Sequence, residues 1–141
     1  MAVDDRRSQV VVVDAANVVG SRPDGWWRDR VGAARRLLTR LAALQEQLTD
    51  TDVVVVLEGA ACRAVVGEDA PETGRVRVVL ASGSGDDTIV SVTTEVAGQP
   101  HHPAVTVVTA DRELRQRVEP TGATTTGPRW LLDQLDALPS E

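Results

Sequence analysis

The chain has 141 residues, a net charge of −6 and no phenylalanine or tyrosine, a length that fits one domain burying about two-thirds of its unfolded surface. The negative charge excludes a protein that coats nucleic acid non-specifically, but not an enzyme with a local basic patch; all 15 basic residues are arginine. No apolar run approaches the roughly 20 residues that span a bilayer, so no membrane partner is expected. The single cysteine, Cys62, excludes an internal disulfide and suits a reducing cytoplasm.

Residues 1–8 carry charge without an apolar core, which predicts a flexible tail rather than a signal peptide, with a single domain over residues 9–138. Val10 to Val13 form a β-branched run that stops at Asp14, with Asn17 three residues on. Such a run reads as a strand buried on both faces, as in parallel sheets covered by helices. Val18 to Gly25 reads as a loop, and Asp24 as the N-cap of a helix to about Leu48. Val31, Ala34, Leu37, Leu38, Leu41, Leu44 and Leu48 share one face of that helix. Arg28, Arg30, Arg35, Arg36 and Arg40 fall mostly off the stripe and read as a solvated face. Trp26 and Trp27 are placed to anchor the helix start, with base stacking as the alternative.

A second buried strand, Asp52 to Leu57, also ends in an acid, Glu58. Residues 59–74 form a short helical or looped crossing, and Arg75 to Leu80 a third strand nearer an edge. The glycine-rich Ala81 to Gly85 leads into a helix to about Ala97. Val105 to Thr109 is the fourth strand, followed by a helix from Asp111 to Val118. Ala123 to Thr126 is a short fifth strand, and Gly127-Pro128 opens a last helix. Strands alternating with helices through short loops predict a three-layer α/β/α domain around a mainly parallel sheet.

Asp14, Asp86, Asp87 and Asp111 each sit at a strand end or at the helix start beyond it. If the sheet grows outward from the first strand and then returns to its other side, these acids meet at the switch point where open α/β sheets hold ligands. Carboxylates gathered there suit Mg²⁺ or Mn²⁺, hard ions that prefer oxygen. Each acid also has a structural reading as a helix cap: Ser84-x-x-Asp87 fits a capping box, and Asp111 an N-cap. Clustering separates the two readings, because carboxylates about 5 Å apart repel by about 3 kcal/mol at an effective dielectric near 20.

The segments Val11-Val12-Val13-Asp14-Ala15-Ala16-Asn17, Gly85-Asp86-Asp87-Thr88-Ile89 and Val107-Val108-Thr109-Ala110-Asp111-Arg112-Glu113-Leu114 resemble the NYN domain branch of the PIN-like ribonucleases. The resemblance covers nearly the whole chain and implies strand order 3-2-1-4-5 and metal-dependent RNA cleavage. It implies that Asp14, Asp86, Asp87 and Asp111 hold Mg²⁺ or Mn²⁺, and that Asn17 orients the scissile phosphate or a metal-bound water. Ala15 stands where the family commonly has glycine, and Arg115 where many members carry an acid. The latter implies a weaker second metal site or a phosphate-binding cation at the rim.

The expected substrate is RNA, in single-stranded or looped form, with Asn17, Arg22, Arg28, Arg112 and Arg115 as contacts; a homo-oligomer is left open. A Gly-rich dinucleotide turn, a Walker A motif, a catalytic lysine and an Asp-x-Asp phosphatase motif are all missing. Three readings stay open: an endoribonuclease, a nucleotide phosphohydrolase using the same acids, and a non-catalytic domain that binds RNA or protein. His101-His102-Pro103 reads as a solvent-exposed loop, and Glu58 as an unassigned outer acid.

Overall fold

Valine runs bounded by polar turns form the core of the computed structural model, which describes residues 8–139. Strands β1 (Gln9–Asp14), β2 (Thr51–Leu57), β3 (Arg77–Leu80), β4 (Ala104–Val108) and β5 (Thr124–Thr126) make one five-stranded sheet in the order β3-β2-β1-β4-β5. Every pairing is parallel, as the sequence predicts. The tail expected at residues 1–8 lies outside the described residues except Ser8, whose backbone N–H and hydroxyl bond to Asp50.

Side chains alternate across a strand, so each valine run feeds both faces of the sheet. Val11, Val13, Val53 and Val55 pack with helices α1 (Ala15–Gly20), α2 (Arg30–Gln47) and α5 (Pro128–Asp136). Val10, Val12, Val54, Val56 and Val107 pack on the other face with α3 (Gly85–Ala97) and α4 (Arg112–Val118). The three layers therefore follow from burial of a fully apolar central strand on both sides. Among the described residues, no helix is long and apolar enough to cross a membrane.

Two local expectations change. The segment after Asp14 is helical at once: α1 begins at Ala15, and the loop starts only at Ser21. The long helix is capped by Asp29, whose Oδ1 accepts the Gly32 N–H at 2.8 Å, rather than by Asp24. Gly25, at φ 82°, turns the chain through a conformation that L side chains rarely adopt, and a 3₁₀ turn over Trp26–Arg28 intervenes.

The arginines of α2 also do more than face solvent. Arg35 donates to the carbonyls of Ala64 and Val66, at 3.2 and 3.0 Å, and Arg40 to the carbonyl of Leu135. Each links α2 to a neighbouring segment through backbone carbonyls, that of Leu135 also accepting the Leu138 N–H. Cys62 is half-buried, its thiol 3.4 Å from the Leu57 carbonyl, and His101 and His102 are exposed.

Candidate active site

The order β3-β2-β1-β4-β5 makes β1 the point where the connections reverse direction, with β2 and β4 on either side. The carboxyl ends of these three strands therefore open one crevice, lined from different parts of the chain. Asp14 ends β1 with only 6% of its surface exposed. Its Oδ1 accepts the Asn17 N–H at 3.3 Å, capping α1, and its Oδ2 accepts the Thr109 hydroxyl at 2.9 Å. Thr109 directly follows β4, is fully buried, and its Oγ1 also accepts the Asp111 N–H at 3.1 Å.

Asn17 closes the same corner by accepting the Ala110 N–H on its Oδ1 at 2.9 Å. That bond identifies the amide oxygen, because a backbone N–H requires an acceptor. The Asn17 NH₂ has no partner among the described residues, and Asn17 lines a cleft of about 800 Å³ with Ala110, Arg22 and Arg129. Asp111 caps α4, its Oδ1 accepting the Leu114 N–H at 3.1 Å. The capping and clustering readings of Asp14 and Asp111 thus hold together: each caps a helix with one oxygen.

On the β2 side, Glu58 follows the strand and its Oε2 accepts the Gly85 N–H at 3.3 Å. A Cβ at position 85 would stand 2.8 Å from Glu58 Oε1, so a larger residue there would push this carboxylate from its present position against α3. Ser84 caps α3 by accepting the Asp86 N–H at 3.2 Å. Asp87 does not complete a capping box. Its side chain is 72% exposed and pairs with Arg117 at 2.8 Å.

Electrostatics joins groups that the sequence scatters. The Asp14 pKa is raised from 3.8, mainly by burial and further by the charges of Asp86 and Glu58, against the lowering bonds from Thr109 and Asn17. Asp86 is raised by burial first, then by Asp111, Glu58 and Glu113, while Arg117 pulls it down. The unfavourable charge pairs here are Asp14 with Asp86 and Glu58, and Asp86 with Glu58 and Asp111, whereas Asp87 pairs with Arg117. Hard carboxylate oxygens fit a divalent cation in donor chemistry. Among the described residues, however, no three acid, histidine or cysteine side chains are arranged as a ready-made metal site.

The candidate arginines occupy different settings. Arg22 makes a two-pronged pair with Asp136 at 2.7 and 2.8 Å. Arg28 lies 5.7 Å from the Trp27 ring centroid. Arg112 is exposed in the first turn of α4, while Arg115 donates from Nε to the Thr109 carbonyl at 2.9 Å and so braces the β4–α4 corner. Sequence reasoning left Glu58 unassigned and passed over Thr109. The available signal was the same in both cases: a polar side chain directly after a valine-rich strand.

A family model described as the YacP-like NYN domain matches residues 11–141. The crystal structure of Rae1 (YacP) from Bacillus subtilis superposes with a TM-score of 0.73 at 20% identity, covering 90% of this chain and 73% of that one. A single-substitution variant of the same protein gives 0.71 at 20% identity, with 91% and 75% covered. No curated protein matches the sequence significantly. At that identity the structural likeness establishes the fold, and the family follows from the model's match over nearly the whole chain. The chain belongs to the YacP-like NYN domain family.

Proposed function

We propose that the chain is a Mg²⁺- or Mn²⁺-dependent RNA endonuclease. The observation that carries this reading is Asp14: a buried carboxylate at the end of the central strand, held by Thr109 and Asn17 and facing the charges of Asp86 and Glu58. A fold that needed only a cap would not gather further negative charge around it.

Asp14, Asp86 and Asp111 would hold the ion, with Glu58 as the nearest further acid. When bound, it would polarise a phosphate oxygen and lower the pKa of water. The chain's own groups set the geometry. Thr109 fixes the Asp14 carboxylate, and the Asn17 NH₂ is a donor for a phosphate oxygen in the adjoining cleft. Arg115 holds the Thr109 backbone, and Asp87 keeps Arg117 where its charge favours ionised Asp86. Arg22 and Arg112 are cations for flanking phosphates.

Labelled single-stranded and structured RNAs, incubated with Mn²⁺, Mg²⁺ or chelator, test the reading directly. Internal cleavage should require the ion; equal cleavage in excess chelator would overturn the proposal. Stability supplies a readout independent of turnover. Asp86→Asn should melt higher than wild type in chelator, because it removes repulsion from Asp111, Glu58 and Asp14. It should also gain less from added Mn²⁺, since a ligand stabilises only by binding the folded state. A residue serving only the first turn of α3 would give the opposite sign, a loss of about 0.3–1 kcal/mol, with an undiminished Mn²⁺ shift.

A further inference from the structure

Beside the acidic crevice, on the β2 side, lies a second cavity of about 330 Å³, at the small end of the range for ligand pockets. Its walls come from the start of α1 (Ala15, Ala16), the segment after β2 (Glu58, Ala60), and the tryptophan turn with the head of α2 (Trp26, Arg30). Alanines and Gly59 leave a slot that larger side chains would fill. The indole is half-buried, with Arg30 over its ring at 5.4 Å and Trp27 edge-on at 6.1 Å. With Arg30 already over the indole, the surface left for one flat ring is the slot of small residues, flanked by the indole and the guanidinium plane.

Position ties this slot to the acids. Ala15 and Ala16 directly follow Asp14, and Glu58 belongs to both places. Its Oε2 accepts the Gly85 N–H, and its charge acts on Asp14 and Asp86. A phosphate held at the acids would therefore bring its neighbouring base within reach of Trp26.

Resting on the nuclease reading above, we infer that the cavity is a subsite for one unstacked base of the RNA, with guanine preferred. Single-stranded RNA is recognised by splaying bases onto aromatic and arginine planes and reading their edges. The polar groups here are a carboxylate, which only accepts, and a guanidinium, which only donates. Guanine offers N–H donors at N1 and N2 to the first and acceptors at O6 and N7 to the second. Uracil offers the carboxylate a single donor nitrogen, N3, and adenine a single one, N6, where guanine offers two.

The test measures binding by fluorescence anisotropy in chelator, so that it does not depend on cleavage. The probes are a labelled uridine hexamer and the same hexamer with one central guanosine. Wild type should bind the guanosine hexamer at least about fivefold more tightly, the lower end of what one bidentate base contact supplies. Ala60→Leu should fill the slot and abolish the difference, while Ala60→Ser should retain it. Trp26→Ala, with a folded thermal transition, gives the same loss by removing the flanking indole and serves if Ala60→Leu does not fold. Equal binding of both hexamers by wild type, or unchanged discrimination in Ala60→Leu and Trp26→Ala, would overturn the subsite. Parallel Mn²⁺ reactions separate the two ideas. Guanosine discrimination without cleavage would sink the nuclease reading and leave the subsite standing. Cleavage without discrimination would do the reverse.

Discussion

Asp14→Asn should lower metal-dependent RNA cleavage by more than about 100-fold, beyond what partners outside the ligand set typically cost, while the protein stays folded. The fold survives because asparagine keeps the size and one acceptor. Its oxygen can still take the Asn17 N–H, and the Thr109 hydroxyl, which now donates to Asp14, can rotate to accept from the new NH₂. In chelator the variant should melt higher than wild type. Folded Asp14 keeps its proton to higher pH than the unfolded chain, so wild-type stability falls as pH climbs from the ordinary value of 3.8 through the raised one. Asparagine does not titrate, so the variant's advantage should be largest near neutral pH and vanish below 3.8. Melting curves from pH 3 to 8 check the sign, and a labelled RNA checks the activity. A variant that is less stable than wild type at neutral pH would mean that Asp14 is held by net favourable contacts.

Gln45→Leu should produce the largest loss of stability away from the site. β3 pairs with β2 only from Val54 onward, so the start of β2 has no strand on that side. The fully buried Gln45 side chain takes the missing place: Nε2 donates to the Thr51 carbonyl at 2.6 Å, and Oε1 accepts the Val53 N–H at 2.7 Å. Leucine fills similar space but strands both backbone groups, at about 1–3 kcal/mol each. Allowing for the added apolar burial, the net loss should be about 2–4 kcal/mol, read from denaturant unfolding. Gln45→Glu is the informative companion. A buried protonated carboxyl keeps a donor for Thr51, but ionisation faces a carboxylate toward a carbonyl oxygen. Its stability should therefore drop as pH rises from 5 to 8. A Gln45→Leu protein within about 0.5 kcal/mol of wild type, the usual range for surface changes, would show that the amide is not a strand surrogate.

Gln45 also illustrates what sequence patterning misses. A glutamine late in an amphipathic helix looks like a solvated position, and its burial depends on β3 starting three residues after β2 does in the shared register. Asp29 and Asp24 posed a similar problem. Both precede helical sequence, and only the left-handed turn at Gly25 decides which one reaches the first free N–H groups.

What the sequence by itself determined is the architecture and the position of Asp14. Valine runs long enough to bury both faces demand a sheet covered on two sides, and the order that sets strands one and four side by side is what the family resemblance implied, because right-handed crossovers also allow other orders. A carboxylate ending the central run must then sit at the crevice, and it does. Only the tertiary structure decided which acids join it. Asp86 and Asp87 are adjacent in sequence and share a helix start, yet successive helical residues point about 100° apart. One turns toward the crevice, the other toward Arg117 on α4. Glu58 enters because the start of α3 lies against it, its Oε2 accepting the Gly85 N–H, and Thr109 because β4 lies beside β1. Those choices depend on packing between segments distant in sequence, which no local spacing encodes.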